Sequence, residues 1–193
     1  MRLAILDGGH GFGTKVLLAM IRVLSGHPVL DVIKLVKYRA DFYGDPMSEV
    51  TQEAMRGPSK WSVGDREMMA ALIAKTNVCE WCTQAHSAVA RGAYGDDAKV
   101  SAVLSDLDTA PIEEPLRVTL RMLRKLTREH AVTVQDMQAV LAAGVSRDQI
   151  DDALAVCFAF NTVGRLADAF GFFQPSPKAF EAGAKYLLTR GYR

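Results

Sequence analysis

Two cysteines set two residues apart, Cys79-Glu80-Trp81-Cys82, with His86 four positions on and Glu67 twelve positions back, are the residues of this chain best suited to chemistry. On a helix, Cys79, Cys82 and His86 fall at i, i+3 and i+7 and share one face in successive turns. A thiol of ordinary pKa, about 8.5, is mostly inert at neutral pH, so its surroundings decide whether it reacts. The unpaired amides and the dipole at a helix start favour negative charge, and so stabilise a thiolate placed there. Cys79 lies nearer the helix start and is expected to be the more exposed of the two. His86, one turn beyond Cys82, is placed to accept its proton directly or through a water. Glu67 falls on the preceding helix, and two helices joined by a tight turn at Thr76-Asn77 run back past one another. A carboxylate on the core face of the first then meets His86 or Cys82 on the second, giving a Glu67–His86–Cys82 proton relay.

The elements that must position these residues read as helices nearly everywhere, with no alternating strand pattern of useful length. Thr14 precedes the apolar stretch from Val16 to Ile21, and Gly26 follows it. Pro28 opens a segment to about Tyr38, and Pro46 opens another that ends at Gly57. Ser62 with Asp65 heads a helix toward Lys75, and Asn77 with Glu80 heads the next, which Gly92 closes. Glu113 to about Arg128 is amphipathic. Thr133 with Asp136 caps a short helix ended by Gly144, Ser146 with Gln149 caps a long one through about Phe170, and Ser176-Pro177 begins the last. Connections are short, which predicts an all-α chain: one compact multi-helix bundle, a single domain over 1–193. The Pro58-Ser59-Lys60 turn is the nearest thing to a boundary.

Composition narrows the function classes. The chain has 193 residues, 49% apolar and 23% charged, with a net charge of +1. That balance gives no broad electrostatic reason to bind nucleic acid or an anionic membrane. No plain apolar run approaches a bilayer's thickness, the longest being Ala153 to Phe160, and the opening Met1 to Asp7 stops too soon for a signal peptide. The expected location is the cytoplasm. In a reducing compartment a close cysteine pair more often means redox chemistry or metal binding than a structural staple.

Glutamate, eleven residues, Cys-x-x-Cys, three residues, histidine is a far more specific pattern than Cys-x-x-Cys alone. With Glu67, Cys79, Cys82 and His86 in those places, the chain resembles the AhpD-like alkylhydroperoxidase branch of the carboxymuconolactone decarboxylase superfamily. The text from Trp61 to Glu67 and from Phe160 to Gly171 agrees, and the resemblance covers roughly residues 28 to 175. It implies an all-helical core over that range, with the N-terminal and C-terminal helices packed on it, assembling as a homo-oligomer. It implies a hydroperoxide-reducing enzyme, an antioxidant peroxidase needing neither metal nor organic cofactor. Cys82 would attack the peroxide, Cys79 would resolve the intermediate as a disulfide, and Glu67 and His86 would shuttle protons. A dithiol partner of lipoyl or thioredoxin type would restore the thiols. Trp81 stands where the best-known members carry a second histidine, and an indole cannot act as a base. The alternatives are a redox sensor or scaffold without turnover, and a decarboxylase of the same superfamily, whose members typically lack the cysteine pair.

Other features read more plainly. Cys79, Cys82, His86 and Glu67 could supply zinc ligands, but structural zinc sites draw on two loops or knuckles, whereas three of these residues share one helix. Cys157, inside an apolar run, reads as a buried small hydrophobe. Asn161, Arg165 and Asp168 share a helix face and line either the cysteine site or an interface, or simply form surface bonds. Gly8 to Lys15 lacks the order of a phosphate loop and reads as a flexible lead-in, leaving His10, His27 and His130 as surface or turn residues. Val134 to Ala155 superficially resembles a DNA-binding helix-turn-helix, but three acidic residues stand among Arg147 to Asp152 where phosphates would press. Val16 to Leu24 and Met68 to Ile73 read as core, and as possible oligomer contacts.

Overall fold

Reciprocal capping boxes start three of the helices that carry the core. Ser62 accepts from the Asp65 amide at 3.1 Å while Asp65 accepts from the Ser62 amide at 3.0 Å, and Thr133 with Asp136 and Ser146 with Gln149 repeat the exchange. Each box satisfies amides that have no partner inside the helix. The computed structural model describes residues 4–193, which form eleven α-helices and one π-turn with no strand among the described residues. The order is α1 (Ile5–Gly8), α2 (Phe12–Ser25), α3 (Asp31–Tyr38), the π-turn (Ala40–Gly44), α4 (Asp45–Arg56), α5 (Val63–Thr76) and α6 (Glu80–Tyr94). There follow α7 (Asp97–Ser105), α8 (Glu114–Glu129), α9 (Val134–Ala142), α10 (Arg147–Phe170) and α11 (Pro177–Arg190).

The α5–α6 hairpin is the centre. Helix α5 is wrapped by α4, α6, α7, α8 and α10, which explains why Met68, Met69, Ala70, Ala71, Leu72 and Ile73 are all buried, as their sequence suggests. An added Cβ at Gly64 would lie 2.7 Å from the Tyr94 ring, so only glycine permits this close approach at the open end of the hairpin. The main apolar cluster joins α5 to Leu120 and Leu123 of α8 and to Val156 and Phe160 of α10. A second, more aromatic cluster gathers Leu6, Leu35, Trp81, Phe172 and Phe180 around Cys79 and Cys82.

Several boundaries and burials differ from the sequence reading. Asn77 ends α5 instead of heading α6: Val78 turns the chain with φ 59, and Cys79 becomes the residue before the first helical turn. Gly92 lies inside α6, where an added Cβ would come within 2.8 Å of the Leu188 Cδ1 of α11, and Gly95, with φ 66, closes the helix. Helix α7 has no counterpart in the reading above, although Asp96 caps it through the Lys99 amide at 2.9 Å. Helix α2 buries no residue: it faces α1 and α3 across an open cleft whose lining includes the charged Asp7, Asp31 and Lys34, so its apolar stripe is not core. His10 is buried, not at the surface, with Nε2 2.9 Å from the Leu6 carbonyl oxygen, which can only accept. The Gly8–Lys15 lead-in is itself partly helical.

One helix among the described residues, α10, is long and apolar enough to cross a membrane by length and composition, contrary to the reading of its sequence. Its apolarity is used within the fold, where Ile150, Ala153, Val156, Ala159 and Phe160 pack into the main cluster. The Pro58–Lys60 turn is fastened to the same helix, Ser59 donating to Asp152 at 2.6 Å and the Trp61 indole to the Gln149 carbonyl at 2.7 Å.

Candidate functional site

The site is built where α5 ends and α6 begins. The Cys79 amide donates back to the Ala74 carbonyl at 2.9 Å, closing α5 around the left-handed Val78. A β-branched residue in that region carries backbone strain, of order 1–3 kcal/mol. Asn77 donates to Asn161 of α10 at 2.9 Å, tethering the turn across the molecule. Val78 takes the surface position, 87% exposed, while Cys79 is 0% and Cys82 2% exposed. Both cysteines are therefore enclosed, and the exposure expected for Cys79 is not found. As the capping residue it turns inward, beneath Leu6 and Phe172.

All three cysteines are free thiols. The neighbouring Cys82 side chain pulls Cys79 below the ordinary thiol value against the opposing effect of burial, and the Cys82 backbone amide reinforces the pull. Cys82 is correspondingly pushed up, because Cys79 adjoins it, it is buried, and it would ionise beside a thiolate. Each sulfur strongly influences the other, so the pair takes on one negative charge more readily than two. Asp168 of α10 faces Cys79 and opposes that charge.

One turn and more along α6, His86 is buried, with Nδ1 2.9 Å from Glu67 Oε2 and its ring 4.2 Å from that of Phe160. Among the described residues no hydrogen bond joins His86 to either sulfur, and its Nδ1 is spent on Glu67. Glu67, 0% exposed, also accepts from Arg56 Nη2 at 2.8 Å and from the Tyr192 hydroxyl at 2.9 Å to Oε1 and 3.2 Å to Oε2. Burial pushes this carboxyl up, but His86 and Arg56 together outweigh it and hold Glu67 below its usual range.

The four residues singled out by spacing therefore fall into two contacting pairs, Cys79 with Cys82 and Glu67 with His86. Arg56 and Tyr192 escaped the sequence reading, since nothing in the pattern near either residue points to Glu67. Of the three residues on the shared face of α10, Asn161 and Asp168 reach the site, whereas Arg165 bonds only the Asn161 carbonyl at 3.2 Å. Cys157, as expected, is buried, and it accepts from Asn161 Nδ2 at 3.2 Å. Among the described residues, no three His, Cys, Asp or Glu side chains converge into a metal-holding group. The Trp81 indole N–H is buried without a partner, its ring packed edgewise on Phe172 and Phe180.

Fold and site together define an all-helical bundle with a dithiol at one helix start and an enclosed glutamate–histidine pair behind it. Two solved structures share this fold over nearly the whole chain. A peroxidase-related protein from Silicibacter sp. TM1040 matches with a TM-score of 0.77 at 23% identity, covering 93% of each chain. A peroxidase-related protein with an alkylhydroperoxidase AhpD core, from Ralstonia eutropha JMP134, matches with a TM-score of 0.74 at 21% identity, again over 93% of each chain. No protein-family profile and no curated protein matches the chain. At these identities the likeness is one of fold: the chain has the all-α, AhpD-like architecture.

Proposed function

We propose that the chain is a thiol-dependent oxidoreductase that reduces small hydroperoxides through a dithiol–disulfide cycle of Cys79 and Cys82, with Glu67 and His86 moving protons. The observation that carries the reading is a pair of adjoining thiols, Cys79 and Cys82, enclosed at the start of α6 where free amides favour a thiolate. The fold shared with two peroxidase-related proteins agrees with it. A thiolate attacks one peroxide oxygen: an S–O bond forms, the O–O bond breaks, and the alkoxide leaves as an alcohol on taking a proton. The second sulfur, deprotonated toward His86 Nε2 directly or through a water, attacks the sulfenic sulfur and releases water. A dithiol partner of lipoyl or thioredoxin type then exchanges with the disulfide and restores both thiols. The cycle belongs in a reducing compartment such as the cytoplasm. The exposed apolar stripe of α2, including Met20, Val23 and Leu24, supports assembly with further copies of the chain.

The resemblance gives the attack to Cys82 and resolution to Cys79. A second reading reverses them, favoured by the place of Cys79 just before the first turn of α6, where free amides favour a thiolate. In that order, Cys79 attacks and His86 serves as base for Cys82 when it resolves.

The test is sub-stoichiometric peroxide added to reduced protein, with mass spectrometry of the peptide holding residues 79–82. An internal disulfide, formed in proportion to peroxide consumed and absent in Cys82→Ser and Cys79→Ser, is expected. Trapping of the sulfenic acid in each variant identifies the attacking sulfur. Peroxide left unconsumed, or oxidation confined to Cys157, refutes the proposal.

A further inference from the structure

Glu67 and His86 would not by themselves make a good base. In an enclosed site the pair prefers electrical neutrality. A glutamate and a histidine reach neutrality only with two protons between them, as carboxylate with imidazolium or as carboxylic acid with imidazole. With Nδ1 turned to Glu67, Nε2 carries a proton in both states and has no lone pair to offer a thiol. The state with a free Nε2 holds one proton and a net negative charge. A fixed positive charge on the carboxylate reverses this order: the one-proton state becomes the neutral one, and a second proton leaves the cluster positive.

Arg56 supplies that charge. Its Nη2 lies 2.8 Å from Glu67 Oε1, its Nη1 donates to the Met55 carbonyl at 2.9 Å, and Nη2 also reaches the Leu187 carbonyl at 3.3 Å. Tyr192 supplies a third donor, its hydroxyl bonding both carboxylate oxygens and lying 3.5 Å from His86 Nδ1. Burial and the Glu67 charge push the phenol well above its ordinary value, so it remains a donor. The chain end is pinned for this task. The Tyr192 amide donates to Gln52 at 2.7 Å, Arg193 pairs with Glu49 at 2.6 Å, and the Arg56 guanidinium sits 5.1 Å over the Tyr192 ring. Other charges lie nearby: Arg66 of α5, whose Nη1 donates to the Gly57 carbonyl at 2.9 Å and, more weakly, to Ala54, and Glu53 and Asp152, whose charges act on Arg66. From α10 the Phe160 ring packs on His86, and on α6 Cys82 stands one turn before His86.

We propose that Arg56 and Tyr192 are positioning residues for the Glu67–His86 pair. Arg56 makes the state with a free Nε2 the electrically neutral one, and Tyr192 holds the carboxylate in line with Nδ1. The proposal rests on the proton relay of the proposed function, but its test needs no peroxide. In full-length protein labelled with 15N-histidine, the His86 imidazole nitrogens report charge state and tautomer at neutral pH. Arg56→Gln is expected to raise the ratio of protonated to neutral His86 by about tenfold, and Arg56→Lys to restore most of the wild-type ratio. Tyr192→Phe should change that ratio less, while weakening the Nδ1–H preference of the neutral ring. An unchanged spectrum in folded Arg56→Gln, or no recovery with lysine, overturns the proposal. Should Arg56→Gln fail to fold, Arg56→Lys and Tyr192→Phe still decide: wild-type tautomer preference in Tyr192→Phe refutes the part given to Tyr192, and a largely protonated His86 in Arg56→Lys refutes that given to Arg56. Absent peroxide turnover with the expected nitrogen shifts would sink the proposed function and leave this inference standing.

Discussion

Cys79 and Cys157 are both enclosed thiols, 0% and 4% exposed, one in each of the two apolar clusters. Cys157 sits in the middle of α10, and burial pushes its thiol up despite hydrogen bonds with Thr127 and Asn161. Cys79 stands at the start of α6, and the Cys82 thiol and amide pull it down despite its burial. Burial is common to both, so burial does not separate a reactive sulfur from an inert one. The difference lies in free amides at a helix end and in a second sulfur one turn away. Cys157 has neither: the amides around it already bond the preceding turn, and no other cysteine lies within a turn of it.

The largest effect expected from breaking this contrast is in Cys82→Ser, which removes the second sulfur. Disulfide formation and peroxide turnover should vanish, while Cys157→Ser, buried in the other apolar cluster, leaves both within about twofold of wild type per folded molecule. Steady-state peroxide consumption checks this. Next comes Glu67→Gln, which keeps the shape and removes the charge behind His86. Loss of positioned proton transfer should cost about 100-fold or more in the rate of disulfide formation. The same variant carries a pH signature. Glu67 is held below its ordinary range in the fold. Its ionised form therefore stabilises the protein above the unfolded glutamate value, about pH 4.3, and that stability is lost as pH falls below it. Urea midpoints from neutral pH down to about pH 3 should fall more steeply for wild type than for Glu67→Gln.

A smaller effect links the two regions. Asn161 accepts from Asn77 at 2.9 Å and donates to the Cys157 carbonyl at 3.0 Å, so one side chain serves the redox turn and the inert thiol alike. Asn161→Ala should lower stability by about 1–3 kcal/mol, leaving the Asn77 amide unpaired, and should slow disulfide formation by loosening the turn. Denaturant unfolding with thiol oxidation rates reads both. The smallest change is Val78→Gly, which relieves the left-handed valine before Cys79. A gain in stability near 1 kcal/mol is expected, roughly the strain released less the entropy cost of glycine, with Cys79 still the lower thiol. A loss of stability would show that the valine is not strained.

Much of the site was legible because its signals act over one or two turns. The Ser62–Asp65, Thr133–Asp136 and Ser146–Gln149 caps announce their helices in four residues each, and all three form as read. The start of α6 was placed two residues early because Asn77-Val78-Cys79-Glu80 holds two good capping signals. Val78 in a left-handed turn decides for Cys79, at a residue type that rarely accepts such a turn. The apolar stripe of α2 is indistinguishable in sequence from those of buried helices, since periodicity shows that a face is apolar and not what covers it.

By itself the sequence determined most of the helical elements, though not α7, together with the shared face of Cys79, Cys82 and His86 and the return of α5 past α6 that brings Glu67 to His86. Only the tertiary structure decided that both sulfurs are enclosed and that Arg56 and Tyr192 close around Glu67. Tyr192 lies 125 positions from Glu67. Helical periodicity carries positional information over a few turns, whereas a contact at that separation depends on how every intervening helix packs.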